Sequence, residues 1–100
     1  MKILLVCNAG MSTGILQNKL EQRARELGAS ASVLAVPLVE VDEHIGDASA
    51  VLLGPQIRFA LDDISGMAPE GVPVLAISAQ DFGMMNAAKV FDDVTAALRA

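Results

Sequence analysis

With 100 residues, 53% of them hydrophobic, the chain has length and apolar content for one compact domain spanning 1–100, with no room for a second. A formal net charge of -5 and the lack of Trp and Tyr exclude both a sequence-independent basic grip on nucleic acid and a base-stacking platform. No apolar run reaches the roughly 18 residues of a membrane span, and the opening Ile3-Leu4-Leu5-Val6 is too short for a secretory core, so a cytoplasmic protein without membrane insertion is expected.

Residues 2–7 form an apolar run of the kind buried on both faces of a parallel sheet. It delivers the lone cysteine, Cys7, to the loop Asn8-Ala9-Gly10. Such a cysteine has no internal disulfide partner, in keeping with a reducing compartment. Ser12 or Thr13 can cap a first helix carrying Ile15, Leu16, Leu20, Ala24 and Leu27 inward and stopping at Gly28. On its outer face Glu21 and Arg25 stand four apart, as a solvated pair. Residues 31–36 read as a second strand closed by Pro37, and 38–47 as a short helix or irregular crossover.

A third strand over 50–53 ends at Gly54-Pro55, where proline suits the first turn of a helix that sets Ile57, Ala60, Leu61 and Ile64 inward. Pro69-Glu70-Gly71 turns the chain into a fourth strand at 73–77. A loop over 78–83 then leads to a final helix over 84–99 with Met84, Ala87, Ala88, Phe91, Val94 and Leu98 on one face. This alternation predicts a three-layer α/β fold: a four-stranded parallel sheet of order 2-1-3-4 with helices on both faces, flavodoxin-like in topology. Ligands of such sheets sit at the carboxyl ends of the strands where strand order reverses, which is where Cys7 falls.

A cysteine at a strand end, followed by glycine and a helix start, is placed for nucleophilic work. Backbone N–H groups of Asn8, Ala9, Gly10, Met11, Ser12, Thr13 and Gly14 would make an anion nest beside the sulfur. Low-molecular-weight tyrosine phosphatases use a C-x5-R loop at this place, with an Asp-Pro acid. Here the sixth residue after Cys7 is Thr13, and the chain has no Asp-Pro dipeptide. A loop without the guanidinium clamp and the general acid holds a phosphoryl group on sulfur and hydrolyses it poorly, which favours relay over hydrolysis.

Cys7-Asn8-Ala9-Gly10-Met11-Ser12-Thr13 resembles the C-x-A-G-M-S-T phosphocysteine loop of the enzyme IIB proteins of the bacterial phosphotransferase system, lactose, cellobiose and chitobiose family. Ala50-Val51-Leu52-Leu53-Gly54-Pro55-Gln56-Ile57 is similar to that family's A-D-V-V-L-L-G-P-Q-I segment, and the resemblance covers essentially the whole chain. It implies a phosphoryl carrier: Cys7 accepts phosphate from a phosphohistidine of enzyme IIA and passes it to a sugar at the membrane enzyme IIC. The loop's N–H groups and the Ser12 and Thr13 hydroxyls would bind the phosphate, with no cofactor and no metal. Two positions depart from the family: Gly14 stands where a second serine often follows, and Phe82 where relatives more often carry Tyr.

Met11, Phe82, Met84 and Met85, with Arg58, are expected at the mouth of the crevice as the surface that meets the two partners, the protein itself being a monomer. His44, the only histidine, stands among Asp42, Glu43 and Asp47. Those charges would repel a phosphoryl group, so His44 reads as a surface residue and not a phosphate carrier.

Overall fold

Strands β1 (Lys2–Val6), β2 (Ser32–Val36), β3 (Ala50–Leu53) and β4 (Val74–Ala76) form one parallel sheet in the order β2-β1-β3-β4. This computed structural model describes residues 1–7 and 11–99, and the backbone alone for 11–13. The predicted order is the observed one. β1 is central, with Leu4 opposite Leu34 on one side and Val51 on the other, and Ile3 through Val6 have no exposed surface. Alternation along the strand divides the core: Ile3 and Leu5 join the cluster under the first and last helices, whereas Leu4 and Val6 join the cluster on the opposite face.

Helix α1 (Met11–Glu26) starts one residue before the nearer of the two expected caps, so Ser12 and Thr13 lie within its first turn. Leu16, Leu20 and Ala24 are wholly buried at a spacing of four, but Ile15 and Leu27 are each 51% exposed. Ile15 sits about 100° around the helix from Leu16, and Leu27 lies past the helix end. The stop at Gly28 is the expected one: it adopts φ 75, its N–H donates to Arg25 O, and Ala29 N–H donates to Ala24 O at 2.8 Å, the double closure of a Schellman motif.

The open reading of 38–47 resolves into a 3-10 turn (Leu38–Glu40), a one-turn helix α2 (Val41–His44) and a second 3-10 turn (Ile45–Asp47). Val41 and Ile45 pin this segment to the core. After β3, a 3-10 stretch (Pro55–Ala60) precedes α3 (Leu61–Met67), with Ile57, Ala60 and Ile64 buried. Residues 78–83, expected as a loop, instead contain helix α4 (Ala79–Gly83), because Ser78 Oγ accepts the Asp81 N–H and caps it. Met85 at φ 52 then breaks the chain's helical course, so α5 (Ala87–Arg99) starts three residues later than expected and buries Ala87, Val90, Phe91 and Val94. Ala88 falls outside that stripe and is exposed, and Leu98, though on the stripe, is exposed in the last turn of the helix.

Glu21 does not serve as the expected surface partner of Arg25. Its Oε2 accepts the Val33 N–H at 2.8 Å, while Gln17 Nε2 donates to Val33 O at 2.7 Å. β2 is an edge strand, and these two side chains satisfy backbone groups that a neighbouring strand would otherwise take. Arg23 reaches Glu26 (3.8 Å) on its own helix and Asp92 (3.7 Å) on α5, tying the two long helices together.

Candidate functional site

Cys7 prolongs the β1 ladder by donating its N–H to Val36 O at 3.0 Å, and it is 6% exposed. On its other side Gly54 leaves β3 and donates to Val6 O at 2.9 Å. Gly54 is buried. A Cβ on it would stand 3.5 Å from Cys7 Cβ and 3.2 Å from Gln56 Oε1. The β3 exit therefore runs directly beside the cysteine, within contact reach of any side chain at this position, and Pro55 turns the chain away at once. Cys7 thus ends the strand where the order of the sheet reverses, between β2 and β3.

Downstream of Cys7 the chain enters α1, whose first turn holds no acidic residue and whose last turn holds Arg23 and Arg25. The basic residues complement the negative end of the helix; the positive end, at the cysteine loop, has no carboxylate in its first turn to offset it. Of the expected anion nest, Asn8, Ala9, Gly10 and the side chains of Met11, Ser12 and Thr13 lie outside the described residues. Gly14 is exposed in the first turn of α1, and a Cβ there would meet nothing within 4 Å.

The expected partner rim is assembled differently. Met84 is 69% exposed and Arg58 is exposed, but Met85 is partly buried and Phe82 is 7% exposed within the core cluster under α1 and α5. Formation of α4 turns the Phe82 ring inward, so it faces the core and not the crevice mouth. In its place the segments leaving β2 and β3 carry Val39, 85% exposed, and Phe59, 76% exposed. Both sit on 3-10 turns, where no amphipathic period marks them. The available signal was a large apolar residue a few positions beyond a strand's carboxyl end.

Around α4, Asp81 receives Lys89 Nζ at 3.4 Å, and Lys89 also meets Asp93 at 3.0 Å. Hydrogen bonds to Asp93 and then Asp81 push the Lys89 ammonium above its ordinary range. The trio fastens the segment after β4 to α5.

The fold and the placed cysteine define a class: an open parallel α/β protein of flavodoxin-like, low-molecular-weight-phosphatase-like topology, with a cysteine at its switch point. Residues 2–93 match the family described as "PTS system, Lactose/Cellobiose specific IIB subunit". The chain is 34% identical over 92 residues to the oligo-beta-mannoside-specific EIIB component of Bacillus subtilis (strain 168), covering 91% of this chain and 89% of that protein. It is 35% identical over 94 residues to the galactose-specific EIIB component of Lactococcus lactis subsp. cremoris (strain MG1363), with 88% and 87% covered. A solution structure of the cellobiose-specific IIB component from Borrelia burgdorferi superposes with TM-score 0.78 at 35% identity, over 99% of this chain and 92% of that one. The lactose-specific IIB domain of Streptococcus pneumoniae gives 0.84 at 16% identity, over 97% and 96%, a likeness of fold. The chain belongs to the lactose/cellobiose IIB family and is a sugar-specific IIB component of a phosphotransferase system.

Proposed function

We propose that Cys7 carries the phosphoryl group. Its sulfur, as thiolate, attacks the phosphorus of a phosphohistidine on enzyme IIA: an S–P bond forms, the N–P bond breaks, and the electron pair returns to the imidazole. In the second transfer a sugar hydroxyl at enzyme IIC takes the phosphoryl group, an O–P bond replaces S–P, and the hydroxyl proton leaves to solvent or a base of the partner. The loop N–H groups from Asn8 to Gly14, with the Ser12 and Thr13 hydroxyls, hold the phosphoryl oxygens. No cofactor or metal takes part, because positioning and dipoles supply most of what phosphoryl transfer needs.

The observation that carries this reading is the seat of Cys7, at the switch point, against Gly54 and upstream of the α1 amino terminus. The exposed Val39 and Phe59, on the turns that follow the carboxyl ends of β2 and β3, support docking of partners at this rim of the sheet. Relatives named for an oligo-beta-mannoside, galactose and cellobiose are 34%, 35% and 34% identical to this chain. Similarity this even is what a carrier that touches only phosphate would have, with the sugar chosen by enzyme IIC. Among the described residues no helix is long and apolar enough to cross a membrane.

Incubation with phosphoenolpyruvate, the general phosphotransferase proteins and the matching enzyme IIA should add one phosphoryl group, located by mass spectrometry on Cys7. Cys7→Ser should fold and accept none. Label on His44, or Cys7-dependent turnover of p-nitrophenyl phosphate by the wild-type chain, would overturn the relay, the latter in favour of a phosphatase.

A further inference from the structure

We infer that Glu40, Glu43 and His44 form a site for one divalent transition cation of the zinc type, separate from the cysteine loop and independent of the relay reading. The ligand atoms of these three side chains lie within 4.8 Å of one another. Glu40 closes the 3-10 turn before α2, and Glu43 and His44 follow it by three and four residues, the spacing that stacks side chains on one side of a helical turn. The backbone beneath them is fixed, since Val41 (1% exposed) and Ile45 (5% exposed) anchor it in the core. Glu40 and Glu43 are exposed and His44 is half-buried.

The donor set decides the class of ion. Magnesium and calcium prefer all-oxygen shells, whereas one imidazole with two carboxylates suits zinc and its first-row neighbours. Ligands at about 2.1 Å from zinc stand roughly 3.4 Å apart in a tetrahedron, so binding would draw these side chains closer than the 4.8 Å within which they now lie. Two carboxylates neutralise the dication, and Asp42 on the same segment adds negative potential. The other close acidic pairs, Asp62-Asp63 and Asp92-Asp93, are adjacent on their helices and diverge, with no imidazole beside them. Three protein ligands leave one position for water, which makes the site exchangeable.

Zinc titration of the wild-type chain and of Cys7→Ser, followed by calorimetry and by amide chemical shifts, tests the assignment, the cysteine variant removing the competing thiol. The expected result is one equivalent bound in Cys7→Ser, with shifts centred on residues 39–47. In that background Glu43→Gln and His44→Gln should each weaken binding by roughly tenfold or more, since even lost outer-shell partners cost metal sites about 10–100-fold. Glu43 is exposed, so its variant keeps the test valid if replacement of His44 disturbs the fold. No binding to Cys7→Ser, shifts centred on residues 4–16, or affinity unchanged in both variants overturns the site.

Discussion

The two rims of the sheet are built to different ends. At the amino-terminal rim each chain segment is tied back: Met1 N to Ser30 O, Ser32 N to Met1 O, Ser49 N to Lys2 O at 2.7 Å, Lys2 N to Ser49 Oγ, and Lys2 Nζ to Asp47 at 2.8 Å. The carboxyl-terminal rim pairs the strand ends through Cys7, Gly54 and Ile77 and then gives way, after β2 and β3, to short turns that leave Val39 and Phe59 in solvent. Parallel strands make this division natural, because the rim where they end also receives the positive ends of the following helices. If Cys7 is the carrier as proposed, substitutions at the amino-terminal rim should cost stability and spare transfer, and those beside Cys7 should cost transfer.

The largest effect after loss of the cysteine should come from Gly54→Val. Its branched side chain presses on Cys7 Cβ and Gln56 Oε1, and displacement of a reacting group by about 1 Å can reduce a rate by about a hundredfold. Stopped-flow phosphorylation should slow by at least roughly tenfold, with a stability loss of about 1–3 kcal/mol from overpacking; unchanged transfer would erase the distinction between the rims.

Away from the cysteine, Glu21→Ala leaves the Val33 N–H of a residue 2% exposed without its carboxylate, and should lower stability by about 1–3 kcal/mol. Chemical denaturation should show this, Glu21→Gln should restore most of it, and the transfer rate should not move. Gly14→Ala should act in the opposite sense: with nothing within 4 Å of the new Cβ, an alanine in α1 should stabilise by about 0.5–1 kcal/mol in the same assay.

The smallest effect concerns pH at the amino-terminal rim. The hydrogen bond from Lys2 holds the Asp47 carboxyl below the usual carboxylate range. A depressed folded value means the pair's contribution is present above the ordinary carboxylate range and is lost as pH falls through the folded value. Lys2→Met should therefore flatten the decline in melting temperature as pH falls through and below the ordinary carboxylate range. Both partners are exposed enough that the change should be slight.

Much of this architecture was legible in the residues. The runs at 2–7 and 50–53 gave fully buried strands, Gly28 gave a left-handed stop, and the reversal of strand order followed from the alternation of elements. The placement of Cys7 at the end of the central strand, where strand order reverses, was legible in the same pattern. Less legible were the segments too short to show a period: α4, which exists through a single serine cap, and the turns over 38–47 and 55–60. For that reason Phe82, expected at the crevice mouth, is found in the core, and the exposed Phe59 carried no periodic signal of its own.

By itself the sequence determined the layers, the strand order and the position of the cysteine, because burial of long apolar runs permits few other arrangements. Tertiary structure alone decided what meets across the chain. It set Gly54 against Cys7, Glu21 and Gln17 on the β2 edge, and Arg23 on Asp92. Such contacts depend on the direction in which side chains leave a twisted sheet and on helical turns a few residues long, and local pattern carries neither.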